Sequence, residues 1–355
     1  MKLLITGICG FVGSTLAKSW LAATPGLTIF GLDNFIRPGS EQNRAELQKM
    51  GIKVYHGDLR SASDFEALPA ADWVLDAAAN PSVLAGIDGL TSSRQLIEHN
   101  LSGTINILEY CKRHRAGFIL VSTSRVYSIK PLAELPVTIA GEAFRFPENH
   151  PPSAGLSAQG VSELFSCATP ISLYGATKLT SEVLALEYGE TFDFPAWINR
   201  CGVLAGPGQF GKADQGIFAY WINAYLRRRP LTYLGFGGKG HQVRDCLHPR
   251  DLIELLQKQT SGGGGAEERI VNLGGGADHA MSLAELSRWC AGRFGSHAVA
   301  SEPAMRRFDI PWLVMDAALA KRRWDWEPQT SLEQILDEIA LHAEQNPHWL
   351  ELSGA

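Results

Sequence analysis

Tyr174 and Lys178 stand four residues apart in Tyr174-Gly175-Ala176-Thr177-Lys178. On a helix that spacing brings a phenol and an ammonium to one face. A nearby cation favours phenolate, so the pair could act as a base toward a hydroxyl near neutral pH. Many helix surfaces carry such a pair without chemistry. This one gains meaning from Ser122-Thr123-Ser124, which ends the apolar run Phe118-Ile119-Leu120-Val121. At the end of a strand the Thr123 hydroxyl would be free to bond a reacting oxygen.

Upstream, Thr6-Gly7-Ile8-Cys9-Gly10-Phe11-Val12-Gly13 follows a short apolar run and opens a helical stretch. Glycines at 7, 10 and 13 permit a tight turn, close backbone approach to a pyrophosphate and close helix packing. The helix N-terminus adds free amide groups and the positive end of its dipole. Asp33 ends the next strand, 20 residues past Gly13. An acid there accepts hydrogen bonds from the adenosine ribose and repels a 2′-phosphate, so NAD is expected rather than NADP. Arg37, four residues on, is a cation that a 2′-phosphate would accept. Asp58, in His56-Gly57-Asp58-Leu59, either caps the segment that follows or holds the adenine amino group; both readings stand.

The elements needed to position these groups are legible as alternation. Strands are expected at Lys2–Thr6, Thr28–Leu32, Val54–His56, Trp73–Ala77, Gly117–Ser122 and Ala196–Arg200. Amphipathic stretches such as Ser14–Ala22, Gln95–His114 and Thr177–Tyr188 lie between them. This βαβ rhythm predicts an α/β fold with a doubly wound, Rossmann parallel sheet. Ligands then sit beyond the carboxyl ends of the strands, where the glycine loop and Thr123 both fall. The Pro-, Gly- and Ser-rich segment Ser128–Pro170 breaks the rhythm and reads as a functional lid or a partly disordered insertion. Gly262–Gly265 reads as a flexible surface turn. Later helices are expected near Gly216–Arg228, Pro249–Gln259, Leu283–Arg293 and Ser331–Glu344, with a strand near Gln242–Leu247. The expected nucleotide-binding lobe comprises residues 1–200 plus about 240–260. Residues 201–239 and 261–355 form a smaller, interwoven α/β substrate lobe.

Composition narrows the class of function. A formal charge of −5 over 355 residues argues against a nucleic-acid binder. No apolar stretch is long enough for a membrane span. Met1-Lys2 runs directly into Leu3-Leu4-Ile5, unlike a secretory leader, so a cytoplasmic location is expected. The six cysteines show neither pairing nor metal-ligand spacing and read as reduced, mostly buried thiols, with no metal site. Arg227-Arg228-Arg229 reads as a solvated helix end.

Together these motifs resemble the extended short-chain dehydrogenase/reductases, the sugar-nucleotide epimerases and dehydratases. The resemblance rests on the glycine loop, Asp33, Asp58, Ala77-Ala78-Ala79, Asn100 in Asn-x-x-Gly-Thr, Ser-Thr-x-x-Val-Tyr at 122–127 and Tyr-x-x-x-Lys. It implies that Thr123, Tyr174 and Lys178 are the catalytic trio. It implies a cofactor site of Gly7, Gly10, Phe11, Val12, Gly13, Asp33, Asn34, Asp58, Leu59, Ala77, Ala78, Ala79, Asn100 and Cys201, with Tyr174 and Lys178 at the nicotinamide ribose. Gln209-Phe210, Asp214-Gln215-Gly216 and Gln242-Val243-Arg244-Asp245 further resemble the CDP-tyvelose (CDP-paratose) 2-epimerase subfamily. That likeness implies substrate contacts from Ser124, Arg125, Gln209, Gln215, Arg244 and Arg306, the arginines on a diphosphate. It also implies a homodimer through helices Gln95–His114 and Thr177–Tyr188.

The reaction so implied is NAD-dependent epimerisation of a nucleotide sugar through a transient keto intermediate, at C2 of a CDP-linked deoxysugar. Related alternatives are a 4-epimerase, a 4,6-dehydratase and a reductase. Dehydratase relatives carry Asp-Glu directly after the threonine, where this chain has Ser124-Arg125, which argues against elimination. An NAD-binding regulator without catalysis is the alternative of another class; the intact Thr/Tyr/Lys set argues against it.

Overall fold

Short runs, mostly apolar and buried on both faces save in the half-exposed edge strand Lys53–His56, build the central sheet: β1 (Lys2–Thr6), β2 (Thr28–Asp33), β3 (Lys53–His56), β4 (Trp73–Asp76), β5 (Gly117–Thr123), β6 (Ala196–Cys201) and β7 (Ile270–Leu273). The structure is a computed structural model that describes residues 1–87, 89, 91–147, 150–151, 153–262 and 268–355. The strands are parallel throughout and ordered β7-β6-β5-β4-β1-β2-β3. The order reverses between β1 and β4, so the crevice beyond their carboxyl ends is the natural ligand site. One face packs on helices Phe11–Ala23 and Ile253–Thr260 through Leu16, Trp20, Leu255 and Leu256. The other packs on Gly103–His114 and Ser172–Phe192 through Ile107, Leu108 and Ala185.

Two boundaries differ from the sequence expectation. Residues 261–355 were expected in the second lobe, yet Ile270–Leu273 pairs with β6 as the outermost strand. Helix Ala318–Trp324 also returns, packing Ala320 and Trp324 into the same core. A four-residue strand buried on both faces carries no alternation to betray it. Conversely Val243–Leu247, expected in the nucleotide lobe, lies in a small sheet with Val203–Leu204, Ala280–Ser282 and Trp312–Leu313. Helices Ile217–Leu226, Leu283–Phe294 and Leu332–Gln345 pack in the second lobe around Trp221, Ile222, Leu286 and Ile339. Ser282 with Glu285, and Ser331 with Gln334, form capping boxes that start the last two.

The Ser128–Pro170 segment is not a loose lid. Its described residues form a short helix, Ile129–Ala133, and two hairpins, Thr138–Ala140 with Ala143–Arg145 and Leu156–Ser157 with Gly160–Val161. Leu132, Phe144 and Val161 pack against Trp312, Val314 and Met315. The Val161 N–H donates to the Val314 carbonyl at 2.8 Å. Distant apolar partners order a segment whose local composition favours disorder. Of the Gly262–Gly265 turn, residues 263–265 lie outside the described residues.

Helix Ser172–Phe192 is anchored by a buried ion pair. Glu182 receives Arg200 Nη2 at 2.6 Å and Nε at 3.1 and 3.2 Å, and the Ser122 hydroxyl at 2.5 Å. Removing one partner strands the other's charge in the core. Glu182→Ala should therefore lower unfolding free energy by about 3–5 kcal/mol, measured by denaturant titration; a loss under about 1 kcal/mol, typical of an exposed pair, would contradict this account.

Candidate active site

Gly7 turns the chain out of β1 with φ +60°, its N–H donating to the Leu32 carbonyl at 2.9 Å. A Cβ at Gly7 would meet Ala78 Cα at 2.9 Å, and one at Gly13 would meet the Gly7 carbonyl oxygen at 2.3 Å. The loop is therefore closed to any side chain at these positions. Gly10 N-caps helix Phe11–Ala23 with no side-chain cap. Asp33 is buried; it accepts the Cys9 N–H and the Phe35 N–H, each at 2.8 Å. Burial raises its carboxyl above the usual range, and these N–H groups pull it back. Cradle, uncapped helix start and acid at the end of β2 fit a dinucleotide.

Asp58 accepts the Arg60 guanidinium at 2.9 and 2.7 Å, its N–H at 2.9 Å and the Asn34 amide at 3.2 Å. The Arg60 hydrogen bond chiefly holds its carboxyl well below the usual range. Local turn-making thus occupies Asp58. Leu59 packs on Gly103, and its carbonyl accepts the Asn106 amide at 2.7 Å. Asn100 lies in a π-helical turn, Glu98–Ser102, inside the stretch expected as one α-helix. Its amide bonds both backbone groups of Asn80 and the Thr177 hydroxyl, tying the loop after β4 to the catalytic helix. Phe11 packs with Phe210 and Trp349, and Val12 beside them. Cys201 is buried, its thiol pushed up to about 12 by burial.

Tyr174 opens helix Ser172–Phe192, and Lys178 follows one turn on; both are buried. Gly175 between them is required, because a Cβ there would lie 2.3 Å from the Arg125 carbonyl oxygen. That contact seats the helix on the turn carrying Thr123. Lys178 was expected to lower the Tyr174 pKa. Instead burial pushes the phenol up to about 12, and the groups that oppose this are the Thr123 hydroxyl, bonded to it, and the Arg125 cation. Burial pulls the Lys178 ammonium down; Asp76 leads the groups that push it back. Burial therefore disfavours the phenolate form of Tyr174.

Beyond Arg125 opens a cavity of about 420 Å³. Arg244, Arg306, Arg307, Asp214 and Asp309 line it, with Trp221 and Phe308 among its apolar walls. Arg244 donates to the Val243 and Ile310 carbonyls at 2.7 and 2.8 Å and lies 3.6 Å from Asp309; burial pulls its guanidinium down to about 10. Arg306 is exposed and lies 3.9 Å from Asp309. Three expected substrate residues do not line this cavity. Ser124 is buried in its turn, Gln209 donates to the Leu204 carbonyl at 2.8 Å, and Gln215 accepts Arg37 Nη1 at 2.7 Å. Arg37 also donates to the Phe210 carbonyl, and the Ser82 hydroxyl donates to Asp214 at 2.7 Å. The Asp-Gln-Gly element thus ties the second lobe to the segments after β2 and β4, and Arg37 is held in that tie.

The NAD dependent epimerase/dehydratase family matches residues 3–274. The chain belongs to that family. NAD is accordingly the cofactor for the glycine loop to hold. The chain is 27% identical to CDP-paratose 2-epimerase of Salmonella typhi over 347 residues, 93% of this chain and 96% of that protein. It is 25% identical to UDP-glucuronate 4-epimerase of Thermodesulfobacterium geofontis, over 97% and 96% of the two chains. Among solved structures, UDP-glucuronic acid 4-epimerase from Bacillus cereus in complex with NAD superposes with a TM-score of 0.73 at 25% identity, covering 97% of each chain.

Sequence reading missed Asp76, whose only signal is an acid ending the buried run Trp73-Val74-Leu75. It also left Arg307 without a role, which nothing local distinguishes from surface charge; Asp214 stood out only as part of the Asp-Gln-Gly element. Without cofactor, phenolate absorbance of wild type and Tyr174→Phe should coincide up to about pH 10, the ordinary tyrosine value. Added NAD, whose nicotinamide ring is cationic, should bring a difference in at lower pH. A Tyr174 phenolate at neutral pH without NAD would contradict the desolvation described.

Proposed function

We propose that the chain epimerises a nucleotide-activated sugar, with C2 of a CDP-linked deoxysugar as the reacting centre. The observation that carries this is the arginine-lined cavity meeting the Thr123–Tyr174 pair at Arg125. Arg125, Arg244, Arg306 and Arg307 against Asp214 and Asp309 leave a surplus of two positive charges, the complement of a diphosphate. The aromatic and aliphatic walls suit a nucleoside and a sugar face. Likeness to CDP-paratose 2-epimerase along most of both chains supports the choice of carbon and base.

In this reading NAD, when bound, supplies a hydride acceptor and returns the hydride. Gly7, Gly10 and Gly13 admit the pyrophosphate to the backbone, and Asp33 takes the adenosine ribose. Tyr174 accepts the proton of the sugar hydroxyl as its carbon is oxidised, while Thr123 holds the same oxygen. Arg244 and Arg306 hold the diphosphate while the keto sugar presents its other face, and Tyr174 then returns the proton. Elimination of water needs an acid and a base beside the threonine; this chain places a buried hydroxyl and a guanidinium there, which supports epimerisation over dehydration.

Incubating the protein with CDP-, UDP-, GDP- and dTDP-sugars and NAD in deuterated water, followed by proton NMR, tests the assignment. Inversion at one carbon without net NADH or deuterium uptake is expected. Keto-sugar accumulation with loss of water, or stoichiometric NADH, would replace the reading. Tyr174→Phe should keep NAD and lose turnover by about two to four orders of magnitude.

We further read the protein as a homodimer. Ile97, Ile105, Leu173 and Val183 expose 39–54% of their surface on the Ser93–His114 stretch and the catalytic helix. Val183→Glu should shift a dimer to monomer by light scattering; a monomeric wild type would end that proposal.

A further inference from the structure

Asp76 is a buried carboxylate for which the proposed chemistry has no use. It ends β4, in register with Thr6 at the end of β1, at the point where the strand order reverses. Its side chain shares a sheet face with Val74, the face covered by helices Gly103–His114 and Ser172–Phe192. The Thr6 hydroxyl donates to its Oδ1 at 2.6 Å, and the Ala78 N–H lies 3.3 Å from the same oxygen. Helix Ser172–Phe192 lies on that face, Glu182 accepting the Ser122 hydroxyl of β5 at 2.5 Å, and one turn before Glu182 comes Lys178, which is 3% exposed and makes no ion pair within 4.0 Å among the described residues. An ammonium so buried would shed its proton unless a counter-charge stood near.

We propose that Asp76 is a positioning residue, the fixed counter-charge that keeps Lys178 protonated beneath the reacting centre. Of the groups acting on Lys178, Asp76 favours the charged form most, ahead of Glu182 on the same helix and Cys201 on β6. Glu182 is already committed to Arg200. Burial raises the Asp76 carboxyl above its usual range, and Lys178 is the leading group that opposes this; Cys111 on the Gly103–His114 helix is the thiol that feels the Asp76 charge. The arrangement places a negative charge at the floor of the crevice and leaves the ammonium's field for the oxygens above it. This role rests on Tyr174 and Lys178 being the reacting pair.

The test follows Lys178 itself. In protein carrying isotope-labelled lysine, the NMR signal absent from Lys178→Arg reports its titration in the NAD-bound enzyme. In wild type it should remain charged through neutral pH; in Asp76→Asn its midpoint should fall by at least about one unit. The alkaline limb of the kcat profile should move down with it, with KM nearly unchanged, and Asp76→Glu should restore part of the shift. An unchanged Lys178 midpoint, with only thermal stability reduced, would make Asp76 a mere cap of the Ala77–Ala79 turn and overturn the proposal. Should Asp76→Asn fail to fold, a wild-type Lys178 found neutral at pH 7 overturns it equally. A shifted midpoint in a protein that turns over no nucleotide sugar would sink the epimerase reading and leave the counter-charge standing.

Discussion

Everything at the active end of this molecule depends on one buried charge pair. Glu182 sits two turns below Tyr174 on helix Ser172–Phe192, and Arg200 is on β6, between β5 and the outermost strand β7. The pair reaches outward through Ser122 on β5 and through Tyr127, whose hydroxyl donates to Asn272 on β7 at 2.6 Å. The Asn272 N–H donates to Glu163 of the inserted segment at 2.6 Å. Three strands, the turn after Thr123, the insertion and the helix therefore share one network. Such a network is demanding, because every member must be satisfied in a low dielectric. In return it fixes the height and rotation of the helix relative to Thr123.

That rigidity matters because the chemistry is one of small displacements. In the proposed reaction, a phenol that takes and returns a proton has to stay within hydrogen-bond reach of one oxygen throughout. The Gly175 contact with the Arg125 carbonyl and the Asn100 bridge to Thr177 hold the same helix from two other sides. Burial, by contrast, makes the phenol hard to ionise, and the proposed reaction leaves the cationic nicotinamide ring to offset that.

Much of this was legible in the chain. The glycine loop, Asp33 and the first six strands declared themselves because strand, loop and acid recur at fixed spacing, and buried parallel strands are short apolar runs. What the sequence concealed depends on distance in space. Ile270–Leu273 looks like any short apolar run until β6 lies beside it. The Ser128–Pro170 segment has the composition of a loop and is ordered by Trp312 and Val314, far along the chain. Gln209 and Gln215 stand beside real pocket residues yet turn to Leu204 and Arg37, an orientation no spacing encodes.

The interleaving of the two lobes has a kinetic side. The chain passes from the large sheet into the second lobe after β6, returns for helix Ile253–Thr260 and β7, leaves again and comes back for helix Ala318–Trp324. A lobe hung on one linker can swing open like a door. One sewn on by several strands can only shear by small amounts. Relative motion of the lobes would then be shear at the seam where Arg37 meets Gln215 and Ser82 meets Asp214, with no single hinge to swing about.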